Sequence, residues 1–246
     1  MLNIDSLSKR YGEVVGVDDV SAHVGAGEVV GVLGPNGSGK STLLHCVTGI
    51  VSPSSGAIEI AGAAAETVEA KRRFGFVPDD LDLPETVTGR EYLQFLSRLH
   101  DTTEDVSELA AVLDLDSAMD RLVAGYSHGM RRKLLLLAAL QHRPPLLILD
   151  EPFGGLDPVA AIVVRRVLTA WPSPEGRATL IATHDLLAAE RLCDRVLILA
   201  GGRLVAEGRP SELLEVSGEA DLERFFIGVS GIGDDLDRAD EILGAM

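Results

Sequence analysis

The chain has 246 residues, 46% of them hydrophobic, and carries 38 acidic against 22 basic side chains for a net charge of −16. That length and composition belong to a globular protein with a sizeable core and not to a disordered chain. The longest unbroken apolar run, Leu134 to Leu140, is far short of the ~20 residues a membrane span needs, and the acidic balance argues against nucleic-acid partners, whose phosphates call for basic surface.

The N-terminus reads Met-Leu-Asn-Ile-Asp. No basic stretch leads into an apolar core there, so no secretory leader and a cytoplasmic location are expected. A strand is predicted over Val29 to Leu33 and a helix over Ser41 to Gly49. Residues 88–141 contain no convincing strand. Glu91, Tyr92, Phe95, Leu96 and Leu99 have helical spacing, and Val106, Leu109, Val112 and Leu113 repeat it. Leu146 to Leu149 reads as a buried strand, Pro158 to Leu168 as a helix, Ala178 to Ala182 as a strand and Leu186 to Cys193 as a helix. Arg195–Ala200 and Arg203–Glu207 flank Gly201-Gly202. That pattern predicts a tight hairpin, because both central turn residues need positive φ. A helix is expected near Pro210 and another over Ala220 to Ile227. The fold class is therefore α/β, with a mostly parallel sheet, an N-terminal antiparallel β part and a helical insertion. Cys46 and Cys193 lie far apart without metal-ligating neighbours, which points to neither a disulfide framework nor a zinc site.

The acidity is uneven. Residues 79–126 carry 12 acids and 3 bases, residues 217–246 carry 8 acids and 2 bases, and the remainder is nearly neutral. A solvated face is the plain reading of such runs.

Two motifs carry chemistry. Gly34-Pro35-Asn36-Gly37-Ser38-Gly39-Lys40-Ser41 fits the phosphate-loop pattern and stands between a strand and a helix, as that motif requires. Glycines let successive backbone N–H groups turn inward, and the helix N-terminus adds the positive end of its dipole. Lys40 is expected on the β- and γ-phosphates, Ser41 on Mg²⁺, and Thr42 beside the α-phosphate. Leu146-Leu147-Ile148-Leu149-Asp150-Glu151 is a buried strand ending in two carboxylates. Asp150 suits Mg²⁺ held through water, and Glu151 suits a general base on the attacking water. The fold is then a phosphate-loop NTPase core.

Further segments narrow the class. Tyr126-Ser127-His128-Gly129-Met130 precedes a helix just upstream of the Asp-Glu strand. Gly155-Leu156-Asp157-Pro158 follows it, His184 closes the next strand, and Tyr11 lies in Ser-Lys-Arg-Tyr-Gly near the start. As a set and in this order, over residues 2–216, these resemble the nucleotide-binding subunit of an ABC transporter. The resemblance implies an ATP- and Mg²⁺-dependent ATPase domain over 1–216, with a helical subdomain about 88–141 and an acidic helical tail over 217–246. It implies that Tyr11 stacks on adenine. Asp79 falls where the family usually has Gln, on a loop that senses the γ-phosphate and meets the membrane subunit. Asp79 thus joins Ser41 and Asp150 as a metal-site candidate. Ser127 and Gly129 match the signature that contacts ATP on the opposite subunit, Asp157 the loop that crosses the dimer interface, and His184 the switch histidine on the γ-phosphate.

Two ATPase subunits, identical or different, would close head to tail beneath a separate polytopic membrane subunit, on the inner face of the cell membrane. The Tyr-Ser-His-Gly-Met signature, in place of Leu-Ser-Gly-Gly-Gln, and the tail segment Asp221-Leu-Glu-Arg-Phe-Phe-Ile resemble the subgroup that powers exporters of drugs, lipids or polysaccharides. The competing readings are a soluble ABC ATPase acting on nucleic acid or ribosomes, and a nucleotide-gated assembly factor. A long coiled-coil insertion and basic surface would favour the first. Loss of Glu151 and His184 would favour the second.

Overall fold

The structure, a computed structural model, describes residues 1–80, 82–172 and 176–233. In chain order the elements are β1 (Leu2–Tyr11), β2 (Val14–Val24), β3 (Val29–Leu33), α1 (Lys40–Val47), β4 (Ser55–Ile60), β5 (Ala63–Ala64), α2 (Val68–Lys71), β6 (Phe74–Val77), α3 (Gly89–Leu99), α4 (Ser107–Val112), two short 3₁₀ turns, α5 (His128–Leu140), β7 (Leu146–Asp150), α6 (Pro158–Ala170), β8 (Ala178–Thr183), α7 (Leu186–Leu192), β9 (Arg195–Ala200), β10 (Arg203–Gly208), α8 (Pro210–Ser217) and α9 (Leu222–Ser230). They fall into two compact units. Among the described residues, one comprises Met1–Asn3, His23–Glu28 and Ile58–Ile181; the other comprises Ile4–Ala22, Val29–Ala57 and residues 182–233.

In the second unit the strand order is β10-β9-β3. β3 runs parallel to β9, with Val30 opposite Arg195 and Leu33 opposite Ile198. Every residue of β3 is buried, as expected of a parallel strand covered on both faces. β9 and β10 form the expected hairpin, and Gly201 and Gly202 both have positive φ, at 55° and 81°. β1 and β2 are neighbours joined by only Gly12 and Glu13, a connection that permits antiparallel pairing alone. The expected last helix begins at Leu222. Asp221 caps it by accepting from Arg224 N at 2.9 Å, and Leu222 and Phe226, four residues apart, bury the same stripe. Residues 234–246 of the expected acidic helical tail lie outside the described residues.

In the first unit the strand order is β8-β7-β6, and β6 is parallel to β7 with Phe74 opposite Leu146 and Val77 opposite Leu149. β7 is buried along its whole length. Between residues 88 and 141 the regular elements are α3, α4, α5 and the two 3₁₀ turns, and the one extended pairing among the described residues there is an isolated antiparallel bridge between Thr88 and Leu122. α3 opens with a capping box, in which Thr88 and Glu91 exchange side-chain-to-backbone bonds. Leu134 to Leu140 is buried throughout and packs α5 on β6 and α3. Burial of each such leucine contributes about 1.5–3 kcal/mol, so this apolar run belongs to the core.

Behind β6, His142 stacks on His100 with ring centroids 3.9 Å apart. His142 Nε2 lies 3.1 Å from the Phe74 carbonyl oxygen. The acceptor there is a carbonyl, so Nε2 carries the proton. Nδ1 is buried and has no hydrogen-bond partner among the described residues. Burial, with a smaller contribution from the charge of His100, pulls the His142 pKa down to about 4 from its ordinary 6.5, against the opposing pull of the Phe74 carbonyl. The folded state therefore binds this proton more weakly than the unfolded chain. The stabilisation is complete above about pH 6.5 and is lost as the pH falls toward 4. Solvent screening of a half-buried ring limits the difference between pH 7 and pH 5 to about 1 kcal/mol. Urea unfolding at the two pH values should show His142→Gln to be less acid-sensitive than the parent by that amount. Equal acid sensitivity would remove this role.

Candidate functional site

In the second unit the glycine-rich turn between β3 and α1 is braced from outside the motif. Gly202 N, in the hairpin turn, donates to the Ser38 carbonyl at 3.0 Å, and Ser38 N donates to the Pro35 carbonyl at 3.1 Å. Gly39 is the N-cap of α1 at φ 106°. A Cβ there would stand 2.3 Å from the Gly16 carbonyl oxygen, so no other residue fits. α1 has no side-chain cap and no acid in its first turn. Its leading N–H groups thus lack the side-chain acceptor that most helices provide, which leaves an anion as their natural partner. Lys40 is buried, and its Nζ donates to the Gly34 carbonyl at 2.7 Å and the Pro35 carbonyl at 3.2 Å. Ser38 Oγ is buried with no hydrogen-bond partner among the described residues. This donor-rich, acid-free turn fits a polyphosphate, and a hydroxyl at Ser41 fits a hard cation accompanying one.

Two other candidates belong to this unit. Tyr11 ends β1 and is 46% exposed, with Lys9 Nζ 5.0 Å from its ring centre. His184 lies between β8 and α7 and is exposed. It is held in that junction by its neighbours. Asp185 caps α7 by accepting from Ala188 N at 2.8 Å, and Asp185 N donates to Thr183 Oγ1 at 3.1 Å.

The first unit holds the remaining candidates. Asp150 is the last residue of β7 and is buried. Glu151 follows with φ 48°, a left-handed conformation uncommon away from glycine, which turns its side chain out of the strand's alternation. Ser127 caps α5 by accepting from Met130 N at 3.2 Å, as its position before the helix implied. Gly129 lies in the first turn of that helix, where a Cβ would meet the Gly155 carbonyl oxygen at 3.5 Å. Asp157 caps α6, accepting from Val159 N and Ala160 N at 2.9 Å each. The bond from Ala160 is the main reason its carboxyl is held below the usual range.

Asp79 lies just beyond β6, and its Oδ1 accepts from Arg132 Nη2 at 3.0 Å. Arg132 was not among the candidates. The one signal for it was a charged residue four positions after His128, on a helix face that continues as leucine and alanine. Among the described residues no group of three or more His, Cys, Asp or Glu side chains could hold a metal.

The profile of the ABC transporter family matches residues 17–154. The Nod factor export ATP-binding protein I of Rhizobium leguminosarum bv. viciae is 41% identical over 223 residues, spanning 87% of this chain and 71% of that protein. An uncharacterised ABC transporter ATP-binding protein of Bacillus subtilis, YdbJ, is 37% identical over 84% of this chain and 68% of its own length. Among solved structures, the ATP-binding subunit of an ABC transporter superposes with a TM-score of 0.87 at 31% identity, covering 93% of this chain and 99% of that one. The dimeric cassette MJ0796 shares the fold, with a TM-score of 0.76 at 23% identity.

Proposed function

Since this chain belongs to the ABC transporter family as one of its ATP-binding, ATP-hydrolysing subunits, we propose that it drives export by a separate membrane subunit through ATP-dependent closure of two such chains. The observation that carries the nucleotide reading is the start of α1. A helix of eight residues opens on a left-handed glycine without a side-chain cap or an acid, and a buried lysine faces the preceding turn.

In this reading the N–H groups of Gly37 to Ser41 and the Lys40 ammonium bind the β- and γ-phosphates, and Tyr11 stacks on the base. Thr42 supports the α-phosphate. Ser41 and Asp150 hold Mg²⁺, joined by Asp79 on the loop that senses the γ-phosphate. The ion, when bound, neutralises charge developing on the phosphate oxygens. Glu151 takes the proton of the attacking water, and His184 donates a hydrogen bond to the γ-phosphate and orients that water. Ser127 and Gly129 present the N-terminus of α5 to the nucleotide of the opposite chain, and Asp157 lies on the loop that crosses to it.

No helix among the described residues is long and apolar enough to cross a membrane. The direction, export, draws on the name of the rhizobial relative and on the signature Tyr126-Ser127-His128-Gly129-Met130. The chain would then sit at the inner face of the membrane. Purification of the tagged chain from detergent-solubilised membranes is expected to bring with it a polytopic membrane protein, whose presence raises ATP turnover. Recovery of the chain with no such protein, or with RNA or ribosomes, would overturn the transport reading.

A further inference from the structure

Arg132 is a buried charge of the first unit. It is 5% exposed, yet its guanidinium reaches three acceptors on two separate segments. Nη1 donates to the Pro78 carbonyl at 2.9 Å and to the Asp150 carbonyl at 3.3 Å, while Nη2 donates to Asp79 Oδ1 at 3.0 Å. One side chain from α5 thereby joins the end of β6 to the end of β7.

The same face of α5 meets the loop after β7 at a second level. His128 stands four residues before Arg132, and a Cβ on Gly155 would lie 2.2 Å from His128 Cδ2, so the ring packs against that backbone. At the Arg132 level a Cβ on Gly154 would be 3.3 Å from Nη2. Gly154 N in turn donates to the Glu151 carbonyl at 3.1 Å, closing the turn in which Glu151 holds its left-handed conformation. The first turns of α5 are therefore in contact with the chain on either side of Asp150 and Glu151.

We propose that Arg132 is a positioning residue that makes the placement of Asp150, Glu151 and Asp79 depend on the placement of α5. This rests on the reading that Ser127 and Gly129, at the start of α5, meet the nucleotide of the opposite chain. Engagement of that nucleotide sets α5, and Arg132 passes the setting to the carboxylates of its own chain. Hydrolysis at the two nucleotides is linked in this way. A guanidinium suits the task because its planar fork directs several donors at fixed angles, which an ammonium cannot copy. Asp79 is part of the device, because its carboxylate neutralises a charge that would otherwise be buried unpaired.

The test is steady-state ATP turnover of the full-length chain over a range of ATP concentrations, for Arg132→Gln, Arg132→Lys, Asp79→Asn, Asp79→Glu and the Arg132→Gln/Asp79→Asn pair. Thermal melting serves as the control for folding. Arg132→Gln and Asp79→Asn are each expected to lower kcat by roughly 10-fold with KM for ATP nearly unchanged, the pattern of a misplaced reacting group. The Hill coefficient should fall toward about 1. The pair should be no slower than Arg132→Gln alone, and Asp79→Glu should recover most of the rate, whereas Arg132→Lys should recover little.

A pair whose loss is the product of the single losses would overturn the proposal, as would a raised KM at unchanged kcat. If Arg132→Gln does not fold, the half-exposed Asp79 carries the test through Asn against Glu, and equal rates for those two would also overturn it. Glu151→Gln separates the two levels. If it still hydrolyses ATP, the reading of the site fails. If it does not, and the Arg132 and Asp79 variants act independently, only the positioning role fails.

Discussion

Glu151→Gln is expected to lower ATP hydrolysis by roughly 10²–10⁴-fold while leaving ATP binding in place, the loss that follows removal of a general base. The amide is nearly isosteric with the carboxylate, so the left-handed turn at φ 48° and the Gly154-to-Glu151 hydrogen bond at 3.1 Å have no reason to change. Binding rests on other groups: the uncapped start of α1 and the Lys40 ammonium. A chain that binds ATP and cannot hydrolyse it should accumulate in the closed two-chain form. Size-exclusion chromatography of the variant with saturating ATP and Mg²⁺ should show a shift from one chain to two, absent without nucleotide and transient in the parent protein. Parental turnover in the variant would remove Glu151 from the chemistry, and a variant that stays monomeric would count against the shared site.

Lys40→Ala is expected to act one step earlier, on binding. Lys40 is buried, and its ammonium stands at the Gly34 and Pro35 carbonyls, at the mouth of the glycine-rich turn. A polyphosphate arriving there gains charge-assisted hydrogen bonds from a group already ordered. Their loss should weaken ATP affinity by roughly 100-fold, which corresponds to about 3 kcal/mol. The readout is the rise in melting temperature on adding ATP, since ligand that binds only the folded state stabilises by mass action. The parent should melt higher with millimolar ATP, and the variant should lose most of that gain. Equal gains in both would show that Lys40 does not hold the phosphates. Opposite patterns in the two variants, binding without turnover for Glu151→Gln and neither for Lys40→Ala, would separate the chemical step from the binding step.

Much of the fold was legible because its signals are local. The phosphate loop announces itself by glycine spacing between a strand and a helix, and the helix was expected at Ser41 and begins at Lys40. Gly201-Gly202 between two β-branched runs required the hairpin of β9 and β10, because that turn needs two positive φ values in succession. The run from Leu134 to Leu140, too short to span a membrane, is core, since a leucine stretch next to a buried strand has nowhere else to go. Ser127, just ahead of a predicted helix, is its cap because capping closes within one turn, Ser127 to Met130 three positions on.

What spacing could not disclose are the partners that meet only after folding. Asp79 and Arg132 are 53 positions apart, and Arg132 and the Asp150 carbonyl 18. Periodicity places Arg132 on a helix face but says nothing of what packs on that face. Read along the chain, Asp79 was a departure from a Gln and a candidate for a cation. In the folded unit its carboxylate has a guanidinium at 3.0 Å. The brace from Gly202 to the Ser38 carbonyl and the fit of Gly39 against Gly16 are of the same kind, contacts between distant backbones set by how strands are laid side by side. The stacked pair His100 and His142 is another, and its displaced titration comes from burial, which no linear pattern records. Short-range chemistry, in which a few consecutive residues must satisfy their own backbone, is therefore sufficient to point to the family and to many elements of this chain, but not to β4, β5, α2 or β6. The charge of each site and the rigidity with which it is held depend on side chains brought together across the fold, where desolvation and long-range hydrogen bonds take over from sequence spacing.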